Sequence, residues 1–336
     1  MTKEKLSWGI ISTALIGEAH VIPAMLKSDK LTVDAVASRD GAKGRQFADT
    51  FGIPKAYGSY EDMLADPEID AVYNPLPNHL HVPWTIKAME AGKHVLCEKP
   101  IALDAAEARQ LIDARERTGK LVAEAFMVRH HPQWQRVRAL VDEGALGKVR
   151  VIQTMFSYHL TDPDNVRNMA DIGGGALYDI GCYAILTSRY VFNREPVRVV
   201  SMIERDPKLQ IDRLTSAMVD YGDGDRLLFS CGTQLVPHQT VSVFGTDKSV
   251  MVEIPFNQDP TRPARLRIDD GGYITGSAPT WEALPPSNHY TLQAEAFGAA
   301  VAAGGPLAYP IEDAVANMAV IDAVFESAKT GAWVSL

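Results

Sequence analysis

Apolar runs alternate with helical patterns over the first 125 residues of the chain. Short runs rich in β-branched residues have the character of strands: LSWGIIS, LTVDAVAS, IDAVYNPL, KHVLCEKP and LVAEAF. Between them, apolar positions recur at helical spacing near 15–27, 42–51, 80–91 and 104–118. Strands that alternate with helices predict a parallel sheet with helices on both faces.

After about residue 126 the pattern changes. HPQWQRVRALVDEGAL predicts a joining helix, and alternating runs then predict antiparallel strands: KVRVIQTMFSYHL, PVRVVSMIE, LTSAMVDYG, RLLFSCGTQ, QTVSVFGT, SVMVEIPF and ARLRIDD. A helix is expected from about 176, a loop at 271–287, and helices at 288–303 and 311–329. The sequence thus predicts an α/β protein with domains at 1–125 and 126–336.

Composition narrows the classes of partner. The chain has 336 residues, of which 46% are hydrophobic, enough for two packed cores. Its net charge of -9, with no basic block to offset it, argues against nucleic acid. The three cysteines, Cys97, Cys182 and Cys231, have no CxxC spacing, which favours buried thiols in a reducing compartment.

The N-terminal residues have some features of a secretory leader and lack others. Lys3 and Lys5 precede an apolar run, as they do in a leader, but Glu4 lies between them and Glu18 and His20 follow the run. No small-x-small cleavage site ends it, and no run reaches the ~18 apolar residues that a spanning helix needs. We therefore expect a cytoplasmic protein with no membrane partner.

The turn after the first strand has the spacing of a dinucleotide-binding loop. In Gly-x-Gly-x-x-Gly, the glycines allow a tight turn, close approach of the pyrophosphate and helix packing. Here the pattern is Ser12-x-Ala14-x-x-Gly17, and the amides at the helix start can still meet phosphate oxygens. The alternative is an ordinary strand–helix turn. The predicted cofactor loop comprises Ser12, Thr13, Ala14, Leu15 and Ile16.

The end of the second strand bears on the choice of cofactor. NAD sites usually carry an acid there, about 20 residues beyond the loop, which binds the ribose 2′-hydroxyl. This chain has Ser38 and Arg39 in that place, with Lys43 beyond. A hydroxyl and a planar guanidinium suit a 2′-phosphate, so we predict NADP, with NAD as the alternative. The other interpretation of Arg39 is a solvated loop charge.

The motif Glu98-Lys99-Pro100, after the fifth strand, resembles the signature of a known enzyme family. Together with PLPNHLH, EAFMVRHHP and GGGALYDIGCY, in that order, it resembles the glucose–fructose oxidoreductase/inositol dehydrogenase/MocA family over nearly the whole chain. The resemblance implies a Rossmann domain followed by an α/β domain with a large open antiparallel sheet. It also implies that Lys99 is catalytic, beside the nicotinamide and the substrate hydroxyl. Pro100 makes a cis peptide bond conceivable at this point.

The second signature departs from much of the family. Many members read Asp-x-x-x-His, whereas this chain reads Asp179-Ile180-Gly181-Cys182-Tyr183. Residues four apart share a helix face. The tyrosine version resembles the branch with NADP-dependent xylose dehydrogenase and dimeric dihydrodiol dehydrogenase. It implies that Tyr183 is the acid–base group, that Asp179 orients the substrate or Lys99, and that the Lys99 cation helps a phenol whose ordinary pKa is about 10.

The resemblance also implies several binding residues. Along the cofactor it places Pro75, Leu76, Asn78, His81, Glu98, Lys99 and Arg129. Along the substrate it places Asn165 and Arg167, with Asp179 and Tyr183. Trp281 is either a pocket wall or a packing residue. The histidine pairs 79/81 and 130/131 lack the spacing and the acid or cysteine partners of a metal site, so no metal is predicted.

These residues together predict an NADP-dependent oxidoreductase acting on a carbohydrate-like hydroxyl, best C1 of an aldose such as xylose or glucose. A trans-dihydrodiol dehydrogenase or a sugar carbonyl reductase would use the same residues. The non-enzymatic alternative is an NADP-sensing regulator, which the presence of Lys99, Asp179 and Tyr183 disfavours. Because one face of the predicted large sheet needs cover, we expect a homodimer or homotetramer.

Overall fold

The computed structural model describes residues 5–336. Its strands, in chain order, are β1 (Leu6–Ile11), β2 (Leu31–Ala37), β3 (Lys55–Tyr57), β4 (Ala71–Asn74), β5 (His94–Cys97), β6 (Val122–Glu124), β7 (Val151–His159), β8 (Arg198–Arg205), β9 (Asp212–Asp220), β10 (Arg226–Gly232), β11 (Gln234–Phe244), β12 (Ser249–Val252), β13 (Ala264–Asp269), β14 (Thr280–Leu284) and β15 (Val334–Ser335).

The α-helices are α1 (Ile22–Met25), α2 (Gly41–Phe51), α3 (Tyr60–Leu64), α4 (His81–Glu90), α5 (Ala105–Thr118), α6 (Pro132–Asp142), α7 (Cys182–Phe192), α8 (His289–Ala303) and α9 (Ile311–Thr330). Two π-helical segments, Gly17–Val21 and Leu177–Gly181, run directly into α1 and α7. Wider π turns inside helices are often found at functional sites. The predicted helices are confirmed to within a few residues.

The first compact unit contains the described residues up to Met127 together with Tyr290–Val315. Its six strands pair in parallel in the order β3-β2-β1-β4-β5-β6. This doubly wound order, which confirms the prediction, places a ligand crevice at the carboxyl ends of the strands where the order reverses, beside β1 and β4. Buried Trp8 and Tyr73 belong to its core, and the Trp8 ring lies 5.4 Å from that of Phe297 in α8.

Local chemistry fixes the helices of this unit. The side chains of Asp40, Ser59 and Asp104 accept backbone N–H bonds at the starts of α2, α3 and α5. Gly52 and Gly119 end α2 and α5 in the left-handed conformation, with φ of 68° and 65°. The caps explain why the predicted helix limits lie close to the observed ones.

The second compact unit contains Val128–His289 and Ala316–Leu336. Its nine-stranded sheet has the order β14-β13-β12-β11-β7-β10-β9-β8-β15. The expected antiparallel sheet needs one correction, because β7 and β10 pair in parallel while the other neighbours are antiparallel. These two strands are far apart in sequence, so no hairpin turn fixes their direction.

The structure differs from the predicted domains and loop in two further respects. Helix α8 packs with the first unit, so the second part of the chain is not one continuous domain. The predicted loop 271–287 contains β14, which pairs with β13, and a short 3₁₀ turn at Gly272–Thr275. In the described residues, no helix is long and apolar enough to cross a membrane. The leader interpretation concerned Lys3 and Glu4, which lie outside the described residues.

Candidate active site

Ser12 replaces the first glycine of the dinucleotide loop in conformation as well as in position. Its φ is 72°, a left-handed value that glycine adopts without strain, and its N–H donates to Ala37 O at 2.8 Å. The Ser12 Oγ is buried, with no hydrogen-bond partner among the described residues. No described side chain caps the following π segment at Ile16. An orphaned hydroxyl and an uncapped helix start fit a phosphate group.

The end of β2 carries the residues predicted to select the cofactor. Ser38 is buried and its Oγ accepts from Asp40 N at 3.2 Å, whereas Arg39 and Lys43 are exposed. Asp40 caps α2 by accepting from Lys43 N at 3.1 Å. The Arg39 side chain hydrogen-bonds the Tyr60 hydroxyl, which opposes the rise in the pKa of Tyr60 caused by burial. Arg39 is therefore partly held in place by Tyr60, unlike a freely solvated loop charge.

Hydrogen bonds of two buried side chains, Asn74 and His81, hold the PLPNHLH loop after β4 in place. Buried Asn74 donates through Nδ2 to His81 O and Thr85 Oγ1, each at 3.1 Å. One ring nitrogen of His81 lies 2.8 Å from Pro100 O and the other 2.6 Å from Leu76 O. Burial lowers the pKa of His81 to about 4. A neutral imidazole has a single N–H, so His81 donates to one of these two carbonyl oxygens while its ring lies between two loops of the unit, and its expected cofactor contact stays a prediction.

Pro75, Leu76 and Asn78 lie in the same loop and remain predicted cofactor contacts. Leu76 is buried, with its backbone N donating to Asn74 Oδ1 at 3.3 Å, and Asn78 begins the short 3₁₀ turn before α4. The loop follows the carboxyl end of β4, where doubly wound sheets bind ligands.

Glu98 organises the backbone of the Glu98-Lys99-Pro100 signature. The Tyr73 hydroxyl donates to Glu98 Oε1 at 2.6 Å, and the Lys99 N–H donates to Oε2 at 3.2 Å. Burial raises the pKa of Tyr73 well above its usual range, so its hydroxyl stays a donor. The Lys99–Pro100 bond is cis, as the sequence allowed. Lys99 thus follows the end of β5 on a backbone held by the half-buried Glu98 carboxylate and its buried partner Tyr73.

In the second unit, Asp179 lies at the centre of a polar cluster. Its Oδ2 accepts from the Tyr158 hydroxyl at 2.5 Å and lies 3.1 Å from Arg167 Nε. Burial, and next the Asp179 charge, raise the pKa of Tyr158, so this phenol is a proton donor rather than a base. The cluster brings together two predicted site residues, Arg167 and Asp179. Its other member, Tyr158, is not among the residues predicted from the sequence.

Tyr183 follows Asp179 by one helical turn. The predicted shared helix is confirmed, although its first turn is π-helical and α7 begins at Cys182. The Tyr183 ring is buried, with its centroid 5.9 Å from Phe156 and 5.2 Å from Phe256. Aromatic neighbours on two sides fix the ring plane. The acid–base role of Tyr183 stays a prediction.

The remaining candidates take mixed positions within the second unit. Arg129 is buried in a 3₁₀ turn at Met127–His130. Asn165 uses its side-chain oxygen to accept from Arg167 N at 3.1 Å, so it shapes the loop that holds Arg167. Trp281 lies on β14, its ring 4.2 Å from the Arg265 guanidinium, which favours packing over a pocket wall. Contacts of Arg129 and Asn165 with ligand stay predictions.

The histidines and cysteines show structural roles. His131 caps α6 by accepting from Gln133 N at 3.1 Å, and burial lowers the pKa of His130 and His131 to about 4. Within the described residues, no group of three or more His, Cys, Asp or Glu is arranged to hold a metal ion. All three cysteines are buried and outside any disulfide, and burial raises the pKa of Cys97 and Cys231.

Sequence reasoning missed Tyr73, Asn74 and Tyr158. Each lies on a strand that the pattern did predict, at or near the strand's end, where polar side chains can reach a loop. Position at the end of a strand was the one available signal. It does not show which loop the side chain contacts, because the partners are 7 to 25 residues away along the chain.

Comparison with known proteins defines the class. Residues 6–126 match the oxidoreductase family with an NAD-binding Rossmann fold, and residues 134–251 match the GFO/IDH/MocA C-terminal domain. The chain therefore belongs to the glucose–fructose oxidoreductase/inositol dehydrogenase/MocA family of oxidoreductases, as the resemblance indicated.

Individual relatives narrow the class further. The chain is 39% identical to a D-xylose 1-dehydrogenase (NADP(+)) of Haloferax volcanii, over 98% of this chain and 100% of that protein. It is 36% identical to a trans-1,2-dihydrobenzene-1,2-diol dehydrogenase of Xenopus laevis, over 76% and 77%. Among solved structures, it is similar to a 3-ketoreductase from Actinomadura kijaniata in complex with NADP and TDP-benzene, with 27% identity, a TM-score of 0.90, and coverage of 96% and 98%.

Proposed function

We propose that this chain is an NADP-dependent oxidoreductase that transfers hydride between a carbohydrate-like hydroxyl and the nicotinamide. The best candidate is C1 of an aldose such as xylose or glucose. One observation carries the proposal: Asp179, held by Tyr158 and Arg167, lies one turn before Tyr183 on a single helix. A relative that aligns with 98% of this chain is a D-xylose 1-dehydrogenase (NADP(+)), which supports the proposal.

The first unit offers the groups that would hold the cofactor. The backbone amides of the loop Ser12–Ile16, with the orphaned Ser12 Oγ, fit the pyrophosphate. Arg39, steadied by Tyr60, and Lys43 at the start of α2 fit a 2′-phosphate, and Ser38 is buried at the same strand end. When bound, NADP supplies the hydride acceptor.

The proton is handled by this chain's own side chains. In the proposal, the Tyr183 phenolate, favoured by the Lys99 cation, takes the proton of the substrate hydroxyl and becomes the neutral phenol, and the Lys99 ammonium stabilises the negative charge that develops on the substrate oxygen. Asp179 accepts a hydrogen bond from Tyr158, pairs with Arg167, and orients a further donor, such as a neighbouring sugar hydroxyl. The buried aromatic rings around Tyr183 exclude water from its ring.

Two other substrate classes use the same groups. A trans-dihydrodiol has two adjacent hydroxyls, as a sugar does, and a relative of this chain is named for that reaction. A keto-sugar would be reduced in the reverse direction, in which Tyr183 donates its proton. Both remain alternatives to the aldose.

The experiment is reduced-nicotinamide absorbance with purified protein, NADP or NAD, and a panel of aldoses, inositols and trans-dihydrodiols. Formation of NADPH from an aldose, lost in Lys99→Ala, supports the dehydrogenase. Formation from the dihydrodiols alone selects that class. Silence across the panel with tight NADPH binding rejects alcohol oxidation and points to a carbonyl substrate or an NADP-sensing regulator.

We also propose that the chain forms a homodimer or homotetramer through the outward face of its nine-stranded sheet. Met155, Met202, Met218 and Leu228 face outward there, in a shallow groove of about 660 Å³. Met202 is 74% exposed, which is unusual for a large apolar side chain. A monomeric mass by light scattering at micromolar concentration would reject this assembly.

A further inference from the structure

The helix that carries Asp179 and Tyr183 begins without a capping side chain from its own loop. Ala176, at the position before the π segment, has no polar atom to satisfy the first backbone N–H groups. The Leu177 N–H instead donates to Asp212 Oδ2 at 2.7 Å. Asp212 is the first residue of β9, 35 positions further along the chain.

The Asp212 carboxylate fits this position closely. It is 1% exposed, and the Thr215 hydroxyl donates to the same Oδ2 at 2.9 Å. Its other oxygen lies against Gly175, where an added Cβ would come within 1.8 Å of Oδ1. Gly175 has a φ of 119°, which side chains rarely adopt. The third glycine of the Gly173–Gly175 run therefore leaves the space that the carboxylate fills.

We propose that Asp212 is a positioning residue for the reaction, and that its carboxylate sets the start of the helix so that Asp179 and Tyr183 take their working positions. The link to turnover rests on the proposed function, whereas the capping contact itself does not.

Two observations favour positioning over simple stabilisation. A buried carboxylate is costly compared with an apolar side chain of similar size, and burial raises the pKa of Asp212 to about 6. A group that costs stability is retained for another reason. In addition, the first turn is π-helical, so the placement of Asp179 two residues later depends on how Leu177 is held.

The test compares Asp212→Ala with Asp212→Asn. The alanine variant should lower kcat by about tenfold or more, because a shift of about an ångström in a catalytic group is enough for that loss. Its KM for NADP should stay within about twofold, since the predicted cofactor residues other than Arg129 lie in the other compact unit. Asparagine keeps an acceptor oxygen in the same place and should restore most of kcat.

A direct readout needs no substrate. Hydrogen exchange at the Leu177 amide should be faster in Asp212→Ala and nearly as slow as wild type in Asp212→Asn. If the alanine variant does not fold, Asp212→Ser takes its place, because it removes the Oδ2 that accepts from the Leu177 N–H and keeps a small polar side chain.

Asp225→Ala is the matched control. Asp225 is also a buried carboxylate of this unit, ion-paired with Arg194 and with Arg150, the latter at 2.8 Å, but it lies in the turn between β9 and β10. Its loss should lower Tm while leaving kcat per folded molecule unchanged. Equal loss of Tm with unchanged kcat in both alanine variants would overturn the proposal. Unchanged exchange at Leu177 would overturn the cap itself, whether or not an aldose proves to be the substrate.

Discussion

Each compact unit contains a helix that begins with a π-helical segment, α1 in the first unit and α7 in the second. The two helices differ in what binds their first backbone N–H groups. Each helix follows a turn, Ser12–Ile16 in one and Gly173–Ala176 in the other. In the first unit, no described side chain caps the start. In the second, Asp212 binds the Leu177 N–H.

The difference shows two uses of the same electrostatics. A helix start carries a partial positive charge and favours a negative group. We propose that a phosphate of the cofactor supplies the negative group at the helix start after Ser12–Ile16, whereas the Asp212 carboxylate supplies it after Gly173–Ala176. In this proposal the first helix binds an anion, and the second holds Asp179 and Tyr183 in position.

The largest effect is expected at the closed helix start. Gly175→Ala would place a methyl group against Asp212 Oδ1 at a φ of 119°, so it should destabilise the fold by about 3 kcal/mol or more. Urea unfolding measures the change. The control is Gly271→Ala, since Gly271 has a φ of 83° but open space around it, and should lose only about 1 kcal/mol. Similar losses in both would show that the carboxylate contact is unimportant.

The second effect is a pH dependence of stability. The pKa of Asp212 is raised from 3.8 to about 6 by burial, against the opposing hydrogen bonds from Leu177 and Thr215. The folded state then binds more protons than the unfolded state between these values, so stability falls as pH rises through them. Relative to Asp212→Asn, wild type should lose on the order of 2–3 kcal/mol between about pH 4 and pH 7. If the difference in unfolding free energy between wild type and Asp212→Asn stays constant across that pH range, the pKa of Asp212 is not raised in the folded state.

Arg39 tests the proposed cofactor site of the first unit. Arg39→Ala should weaken NADP binding by about 10- to 100-fold, because it removes a charged donor to the 2′-phosphate, and should leave NAD binding nearly unchanged. Calorimetric titration with both cofactors measures this. Equal weakening for NADP and NAD would show that Arg39 does not read the 2′-phosphate.

Ser12→Gly should have the smallest effect, and it should stabilise the fold, whereas Gly175→Ala destabilises it. Glycine relieves the left-handed strain at φ 72° and removes an orphaned buried hydroxyl, so Tm should rise by an amount equivalent to about 1 kcal/mol. Thr13→Gly, without that strain, should lower Tm instead. If the hydroxyl contacts phosphate, NADP affinity falls in Ser12→Gly even as stability rises.

The sequence was sufficient for features that local pattern controls. Alternation of strands and helices predicted the parallel sheet, and the caps at Asp40 and Asp104 kept the helix limits close. Motif order predicted the family and placed Asp179 and Tyr183 on one helix. Within the second unit, Arg167 and Asp179 do lie together.

What the pattern missed depends on contacts between distant segments. Asp212 looks like an ordinary polar residue at the start of a strand until Leu177 is placed beside it. The parallel pairing of β7 with β10 and the packing of α8 with the first unit are likewise decided by long-range burial. The glycines and prolines of segment 271–287 predict a loop, whereas five of its residues form β14 through their pairing with β13.

The most direct test of the account is turnover and cofactor binding by wild type and Tyr183→Phe, measured on the same preparations. With NADP and the best aldose, wild type should form NADPH, and the phenylalanine variant should lose about 100-fold or more of kcat while binding NADP with nearly wild-type affinity. The missing hydroxyl removes the proton acceptor and leaves the buried ring in place. Unchanged kcat in Tyr183→Phe would contradict the assignment of Tyr183 as the acid–base group and, with it, the proposed reaction mechanism.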